Sequence, residues 1–257
     1  MLRSIEQLYG HTLNALDGEI GQVKSFYFDD QNWVVRYLIV ETGTWLTSRQ
    51  VLVSPYALGH GFLAGGVSRV NLTRKQIEDS PSLEWHKPVS RRFEEDYYRY
   101  YNWPCYWQGD GLRSMGGFPI VELPAKPLSD GQAMVNGPRP ERTDGHLWRT
   151  QTVNGYHIQA SDGIIGHVCD FMVDMRNWAI GQLVITTGHR LSGKKVLIPT
   201  GTVTRISYEE STVSINLNAK TVEQEPVHHL ASAGPGNRRR PTPQSNHSAE
   251  HFAPIQL

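Results

Sequence analysis

The chain contains one stretch of sequence twice, at a constant separation of 145 residues (162 − 17 = 145). The first copy spans Gly10 to Val53, the second spans Gly155 to Ile198, and 17 of the 44 aligned positions are identical without a gap. The shared segments include Asp17-Gly18-Glu19-Ile20-Gly21-Gln22-Val23 and Asp162-Gly163-Ile164-Ile165-Gly166-His167-Val168, followed in both copies by Phe, Asp, Asn-Trp, Leu and Thr-Gly. Chance does not produce this agreement, so the protein is a duplication of one unit of about eighty residues.

The duplication divides the 257 residues into four predicted segments. These are a first repeat at 1–82, a linker at 83–150, a second repeat at 151–227 and a disordered tail at 228–257. A unit of this size is near the lower limit for independent folding. We therefore expect the two copies to pack against each other in a pseudo-two-fold arrangement, and a homodimer is compatible with the same pattern.

Composition narrows the class of protein. Acidic and basic residues balance at 25 each, so no global field attracts nucleic acid or an anionic membrane. The first residues contain no apolar run of signal-peptide length, and no segment approaches the ~20 apolar residues of a membrane helix. The two cysteines, Cys105 and Cys169, are not equivalent in the repeat, so a disulfide framework is not indicated. We expect a soluble cytoplasmic protein.

Within each copy the pattern predicts short β-strands. Asp17-Gly18 between apolar runs predicts a hairpin whose turn needs the positive φ that glycine tolerates. Ile20 and Phe26 share one face of the following strand, but Val23 falls on the other, which indicates either a bulge near Lys24-Ser25 or burial on both faces. Thr73 is the predicted N-cap of a short helix ending before Pro81. About six short strands with little helix predict an all-β protein of two small barrels in tandem.

The segment between the copies is rich in Gly and Pro, which is typical of a linker. Its exception is an aromatic block with seven rings: Tyr97, Tyr98, Tyr100, Tyr101, Trp103, Tyr106 and Trp107. The favoured interpretation is that this block packs back on one barrel or between the two, because exposed apolar rings are unfavourable in water. The alternative is that these seven residues bind a protein partner, since Tyr, Trp and Arg dominate interface anchors. Stacking on single-stranded RNA is less favoured, because Glu94-Glu95-Asp96 would repel phosphate.

The residues that the two copies share form a pattern that resembles a known protein family. The Asp-Gly-x-x-Gly-x-Val segment, the strand ending in Asp and the Val-Leu-Val or Val-Leu-Ile strand near a proline are similar to the PRC-barrel domain. That family is named for the cytoplasmic domain of the photosynthetic reaction-centre H subunit, and the C-terminal domain of the ribosome maturation factor RimM is similar. The resemblance covers roughly 150 of the 257 residues. It implies a six-stranded barrel used as a docking surface, without an enzymatic activity of its own.

Several repeated residues are candidates for chemistry. Asp17 and Asp162 could form an acid/base pair, but a hairpin turn explains both, because a turn carboxylate binds nearby backbone amides. The glycines at 18, 21, 163 and 166 lie between predicted strands, whereas a phosphate cradle requires a helix N-terminus. These six residues are therefore interpreted as structural turns.

Eleven histidines raise the possibility of a metal site. His157, His167 and His189 could form one in the second unit, but no cysteine or carboxylate lies at ligand spacing. No nucleophile signature is present either. We therefore expect no catalytic residue, no cofactor and no metal, and a non-enzymatic scaffold that docks protein partners. An RNA- or ribosome-associated factor, or a subunit at the cytoplasmic face of a membrane complex, are the alternatives that the family relatives suggest.

Overall fold

The structure is a computed structural model that describes residues 1–46, 49–58, 66–83, 88–107, 146–188 and 193–224. Strands outweigh helices among the described residues, which confirms a mainly β protein. The strands are β1 (Leu2–Ser4), β2 (Thr12–Ala15), β3 (Gly18–Asp29), β4 (Val34–Thr42), β5 (Gln50–Val53), β6 (Val67–Arg69), β7 (Leu147–Arg149), β8 (His157–Ala160), β9 (Gly163–Asp174), β10 (Ala179–Thr187), β11 (Lys194–Pro199), β12 (Val203–Ser207) and β13 (Thr212–Ile215). The α-helices are α1 (Arg74–Glu78), α2 (Arg91–Tyr100), α3 (Thr150–Val153) and α4 (Ala219–Gln224).

All of these strands belong to one mixed sheet. Its main path runs β12-β13-β8-β9-β10-β4-β3-β2-β6, with β1, β5, β7 and β11 paired at the sides. The pairs β2–β6 and β8–β13 are parallel, and the other pairs are antiparallel. The first half of the molecule, residues 1–107, meets the second half, residues 146–224, where β4 pairs with β10. The larger apolar cluster contains buried side chains from both halves. Within the described ranges, no helix is long and apolar enough to cross a membrane.

Strand β3 begins at the predicted hairpin. Ala15 pairs with Gly18 across a two-residue turn, and Gly18 has a φ of +146°. The register of β3 against β4 shifts between Val23 and Ser25, so of the two alternatives that the pattern left open, the bulge near Lys24-Ser25 is observed. In the second half Gly163 has a φ of +141° at the start of β9. Both glycines adopt a conformation that a side chain resists.

Gly21 and Gly166 have a different role from the two turn glycines. A Cβ atom at Gly21 would lie 2.0 Å from the carbonyl oxygen of Glu41, and one at Gly166 would lie 1.9 Å from the carbonyl oxygen of Thr186. The neighbouring strand therefore crosses directly over each glycine. These two positions need glycine because the backbones approach closely, rather than because they form a turn.

The repeated aspartates connect each hairpin turn to a helix. The carboxylate of Asp17 accepts a hydrogen bond from the backbone N–H of Arg74 (2.8 Å), and that of Asp162 accepts one from Ala219 (2.9 Å). The partners are backbone amides, as expected of a turn carboxylate, but they lie 57 residues further along the chain. Helix α1 also has the predicted N-cap, since Thr73 and Gln76 form a reciprocal capping box.

Each half contributes its first strand to the other half. Strand β1 pairs with β9, and β7, which corresponds to β1 at the constant offset of the repeat, pairs with β3. The registers correspond, because Leu2 lies opposite Asp174 and Leu147 lies opposite Asp29. The exchange is reciprocal, because the first strand of each half pairs with a strand of the other half.

The repeated tryptophans form the junction at the centre of the sheet. Trp33 and Trp178 both have a left-handed backbone, with φ values of 52° and 60°. This conformation is uncommon for a bulky residue. The carbonyl oxygen of Trp33 accepts a hydrogen bond from Ile180 N–H (2.7 Å), and that of Trp178 accepts one from Val35 N–H (2.9 Å). The strained residue of each half therefore binds the backbone of the other half.

The segment predicted as linker, 83–150, contains regular structure. Residues 91–100 form helix α2 and residues 147–149 form β7, which are regular elements that the linker composition does not predict. Helix α2 packs on the outer face of β4 and β5, where it covers a second apolar cluster. The predicted disordered tail and most of the Gly- and Pro-rich segment lie outside the described residues.

Candidate functional site: an aromatic surface on the first half

Helix α2 has clear local signals at both ends. Its N-cap Ser90 accepts a hydrogen bond from Phe93 N–H (3.2 Å). At its C-terminal end Asn102 takes the left-handed conformation (φ 55°), and Trp103 N–H donates to the carbonyl oxygen of Tyr98 (3.0 Å). Together with the bond from Asn102 N–H to Arg99 (3.1 Å), this forms a Schellman motif with Asn in place of Gly. The chain therefore reverses at Asn102 and places Trp103 beside the helix.

Two tyrosines of the helix are fully buried against the sheet. Tyr97 is 0% exposed and Tyr98 is 1% exposed. The ring of Tyr97 meets Tyr37 of β4 edge-on at 5.3 Å, and its hydroxyl donates to the carbonyl oxygen of Leu52 (3.1 Å). Burial raises the pKa of both hydroxyls well above the usual range for tyrosine. These two residues therefore stabilise the position of the helix and present no surface to a partner.

A buried carboxylate in the first turn of α2 also holds the helix against the sheet. Glu94 is 0% exposed, and its Oε1 accepts hydrogen bonds from the hydroxyls of Tyr37 (3.2 Å) and Tyr106 (2.7 Å). Its Oε2 lies 2.9 Å from Arg91 Nη1 and 3.1 Å from His146 Nε2. A buried charge requires such partners, because its desolvation is expensive. The cluster joins β4, α2 and the residue that precedes β7.

A second buried ion pair lies beneath the same cluster. Arg36 donates to Asp29 (2.9 Å), and its guanidinium carbon is 3.8 Å from the ring centroid of Tyr106. Burial raises the pKa of the Asp29 carboxyl, but the charge of Arg36 and bonds from Asn32 and Gln31 outweigh it, so the net pKa lies below the usual range. Arg91 stacks on Trp107 in a similar way, at 4.2 Å. Cation–π contacts of this kind add to the fixation of the aromatic block.

Four rings beside the buried Tyr97 and Tyr98 form a continuous, partly exposed series, which we call the aromatic row: Tyr56, Trp103, Tyr101 and Tyr100. Tyr56 stacks on Trp103 with centroids 5.8 Å apart, and Trp103 stacks on Tyr101 at 4.5 Å. Tyr100 meets Tyr101 edge-on at 4.8 Å and is 41% exposed, while the other three are half-buried. The hydroxyls of Tyr100 and Tyr101 donate to the carbonyl oxygen of Gln76 in α1, at 3.0 Å and 3.3 Å.

The structure separates the seven candidate partner-binding aromatics into three groups. Tyr97 and Tyr98 are buried, which removes them from any contact surface. Tyr100, Tyr101 and Trp103 lie in the aromatic row, and Tyr106 and Trp107 are half-buried next to Arg91. The block packs back on the first half, in agreement with the interpretation that the sequence favours.

Sequence reasoning missed three members of this region: Tyr56, Glu94 and His146. Tyr56 and His146 lie far from the aromatic block in sequence. Burial at Glu94, Tyr97, Tyr98 and Tyr101 follows the helical spacing i, i+3, i+4, i+7. Because the first of these positions is the charged Glu94, the spacing does not look like the apolar face of a helix in the sequence.

The other candidate sites are weaker. His157 and His167 lie opposite each other on β8 and β9, and His189 lies outside the described residues. Among the residues that the structure describes, no three His, Cys, Asp or Glu side chains are grouped so as to hold a metal ion. A small depression of about 70 Å³ lies beside β5, lined by Arg49, Gln50, Val51, Leu52, Ser80, Pro81, Ser82 and Leu83. It is too small for any ligand beyond a few water molecules.

Comparison with models of known protein families gave no match, and no curated protein matched the chain significantly. The similarity to the PRC-barrel family therefore depends on the repeated residues alone.

Proposed function

We propose that this protein is a non-enzymatic interaction module that docks a protein partner on the aromatic row. The observation that carries the proposal is the partly exposed series Tyr56, Trp103, Tyr101 and Tyr100. It packs on the fully buried rings of Tyr97 and Tyr98. Interface hot spots are enriched in Tyr and Trp held in well-packed surroundings.

Rigidity makes this surface suitable for binding. Tyr and Trp side chains that are already immobile lose little conformational entropy when a partner binds. Trp103 is held by the reversal at Asn102 and by rings on both sides, and Tyr101 is held by Gln76. Burial raises the pKa of Tyr101 to about 12, so its hydroxyl stays neutral at physiological pH.

A protein fits the charge around the row better than a nucleic acid does. Next to the row, exposed Arg99 pairs with Asp96 (2.8 Å), which cancels its charge locally. Nucleic-acid sites need a surplus of positive charge along the backbone path. An RNA-associated function or a membrane-complex function would be distinguished from protein docking by the cross-linked products of the experiment that tests this proposal.

The proposal includes an architecture for the repeat. Each copy, Gly10 to Val53 and Gly155 to Ile198, supplies a PRC-barrel-like unit, and the two units pack about a pseudo-two-fold axis at the β4–β10 junction. The support is the constant offset that relates the β2–β3 hairpin to the β8–β9 hairpin and one exchanged strand to the other. In this architecture only the first unit carries the aromatic row, so docking is asymmetric.

Site-specific photo-crosslinking in cells tests the docking proposal. A photoreactive phenylalanine derivative replaces Tyr100 in one variant and Tyr208, a 71% exposed residue of the second half, in the matched control. Discrete protein adducts from position 100 and none of the same mass from position 208 are the expected result. Adducts dominated by RNA or ribosomal proteins would support the ribosome-associated alternative instead, and adducts with integral membrane proteins would support the membrane-complex alternative. Equal adducts at both positions, or none at position 100, would contradict docking at the row.

A further inference from the structure

We infer that the surface which each half presents to the other is a complete protein–protein interface, and that the matching half of a second copy of this chain can occupy it. This inference is independent of the docking proposal.

The strand exchange provides the first argument. Strand β1 pairs only with β9 among the described strands, and the ladder continues with Ile5 N–H donating to the carbonyl oxygen of Phe171 (2.9 Å). Strand β7 is added to β3 in the corresponding way. Edge strands with unpaired backbone groups pair readily with another chain. Without the other half, β3 and β9 would each present such an edge.

Buried polar contacts make the interface specific. The Asp170 carboxylate is 3% exposed and accepts hydrogen bonds from Ser4 Oγ and from Glu6 N–H (3.1 Å). On the opposite side Thr150 Oγ1 accepts from Phe26 N–H (3.2 Å) and lies 3.0 Å from the Tyr9 hydroxyl. All of these bonds join residues of different halves. A surface that covered these groups without supplying the matching hydrogen-bond partners would leave them buried and unpaired, at a large cost.

Apolar side chains fill the space between the two polar groups. Phe28 contacts Phe171 with ring centroids 5.4 Å apart, and Phe26 contacts Trp178 at 6.4 Å. All four rings are buried, with exposures between 0% and 6%. An interface of this composition resembles a domain core divided in two, which is typical of obligate dimers.

None of these contacts depends on the covalent connection. The described part of the first half ends at Trp107 and that of the second half begins at His146, so residues 108–145 connect the two. All of the contacts named above are made by residues outside this connecting segment. Covalent connection raises the local concentration of the chain's own second half, which favours pairing within one chain. After this connection is cut, the chain's own second half has no advantage over the matching half of another copy.

The experiment uses the full chain with a protease site inserted between Leu128 and Ser129. After cleavage, we expect both fragments to elute together at the volume of the intact protein. The Tm of the cut protein should rise with protein concentration, whereas that of the intact protein should not, because only the cut form dissociates on unfolding. Fragments that elute apart, or a cut protein whose Tm does not depend on concentration, would overturn the inference.

A second measurement tests exchange between copies. Cut protein with an affinity tag on its N-terminal fragment is mixed with untagged cut protein whose C-terminal fragment differs in mass, and the mixture is unfolded and refolded. The tag should then recover the two kinds of C-terminal fragment in proportion to their amounts. Recovery of only the C-terminal fragment that came with the tagged protein would overturn the inference.

Two variants connect the result to the interface. In the cut protein, Asp170→Ala should raise the fragment dissociation constant by tenfold or more, and the milder Ser4→Ala should raise it by a smaller factor. The control Glu210→Ala changes an exposed carboxylate of the second half and should leave the constant unchanged. Equal dissociation constants for all three variants would overturn the assignment of this interface.

Discussion

Gly163 and Gly166 both lie in β9, but each position requires glycine for a different physical reason. At Gly163 a Cβ atom would meet nothing within 4 Å, but the φ of +141° resists any side chain. At Gly166 φ is not in the left-handed region, but a Cβ would lie 1.9 Å from the carbonyl oxygen of Thr186. Substituting alanine at each position therefore measures backbone strain in one case and interstrand overlap in the other.

The expected magnitudes follow from this geometry. Gly163→Ala should lower the free energy of unfolding by about 1–3 kcal/mol, the cost of a glycine-only conformation. Gly166→Ala should cost more than about 3 kcal/mol, because the added Cβ overlaps that oxygen unless β9 and β10 separate. For a protein of this size each kcal/mol lowers Tm by about 2–4 °C. Gly201→Ala is the matched control, since Gly201 has neither a positive φ nor a neighbour within 4 Å.

Thermal and urea unfolding of the purified variants, followed by circular dichroism, measure the effect. The expected order of stability is wild type and Gly201→Ala together, then Gly163→Ala, then Gly166→Ala. A Gly166→Ala protein whose Tm equals that of wild type would refute the close approach of the two strands. A Gly163→Ala protein as stable as the control would refute the argument from φ.

Two further predictions concern the buried charges of the first half. Glu94→Gln should lower the free energy of unfolding, measured in urea, by about 2 kcal/mol or more, because Arg91 loses its buried carboxylate partner. The exposed control Asp96→Asn should change the free energy of unfolding by less than about 0.5 kcal/mol. Equal effects of the two substitutions would contradict the assigned role of Glu94. Asp29 has a folded-state pKa below its unfolded value, so its stabilising effect is present at neutral pH and is lost as the pH falls below about 4. Urea unfolding between pH 6 and pH 3 should therefore show a smaller loss of stability for Asp29→Asn than for wild type, and identical pH slopes would contradict the depressed pKa.

The sequence predicted local features well where a few neighbouring residues decide the structure. The hairpin at Asp17-Gly18, the bulge near Lys24-Ser25 and the N-cap at Thr73 each depend on backbone preferences of adjacent residues. Helix α2 was missed for a specific reason: its buried face includes Glu94, and a charged residue indicates solvent unless its distant partners are known. Tyr37 and His146 bind that carboxylate, and both are remote from it in the sequence.

The seven aromatic residues show the same limit for the candidate site. Their density predicts that most of them must leave water, because so much apolar surface cannot remain exposed in one segment. Which rings are buried depends on the outer face of β4 and β5, which accepts Tyr97 and Tyr98 and leaves the aromatic row partly exposed. Sequence alone therefore indicated this segment as a candidate site, but it could not choose the exposed rings and it missed Tyr56.

By itself, the sequence determined that a set of residues recurs at a constant offset of 145, and it predicted the tight turn at Asp17-Gly18, because both depend only on residue identity and neighbouring residues. The close backbone contacts at Gly21 and Gly166, which the sequence predicted as turns, are visible only in the structure. Only the tertiary structure decided how the copies combine. The reciprocal exchange of β1 and β7 and the junction at Trp33 and Trp178 depend on hydrogen bonds between residues of different copies, far apart in the chain. Such pairings are chosen by the burial of a common core and the pairing of strand edges, and no pattern among neighbouring residues records that choice.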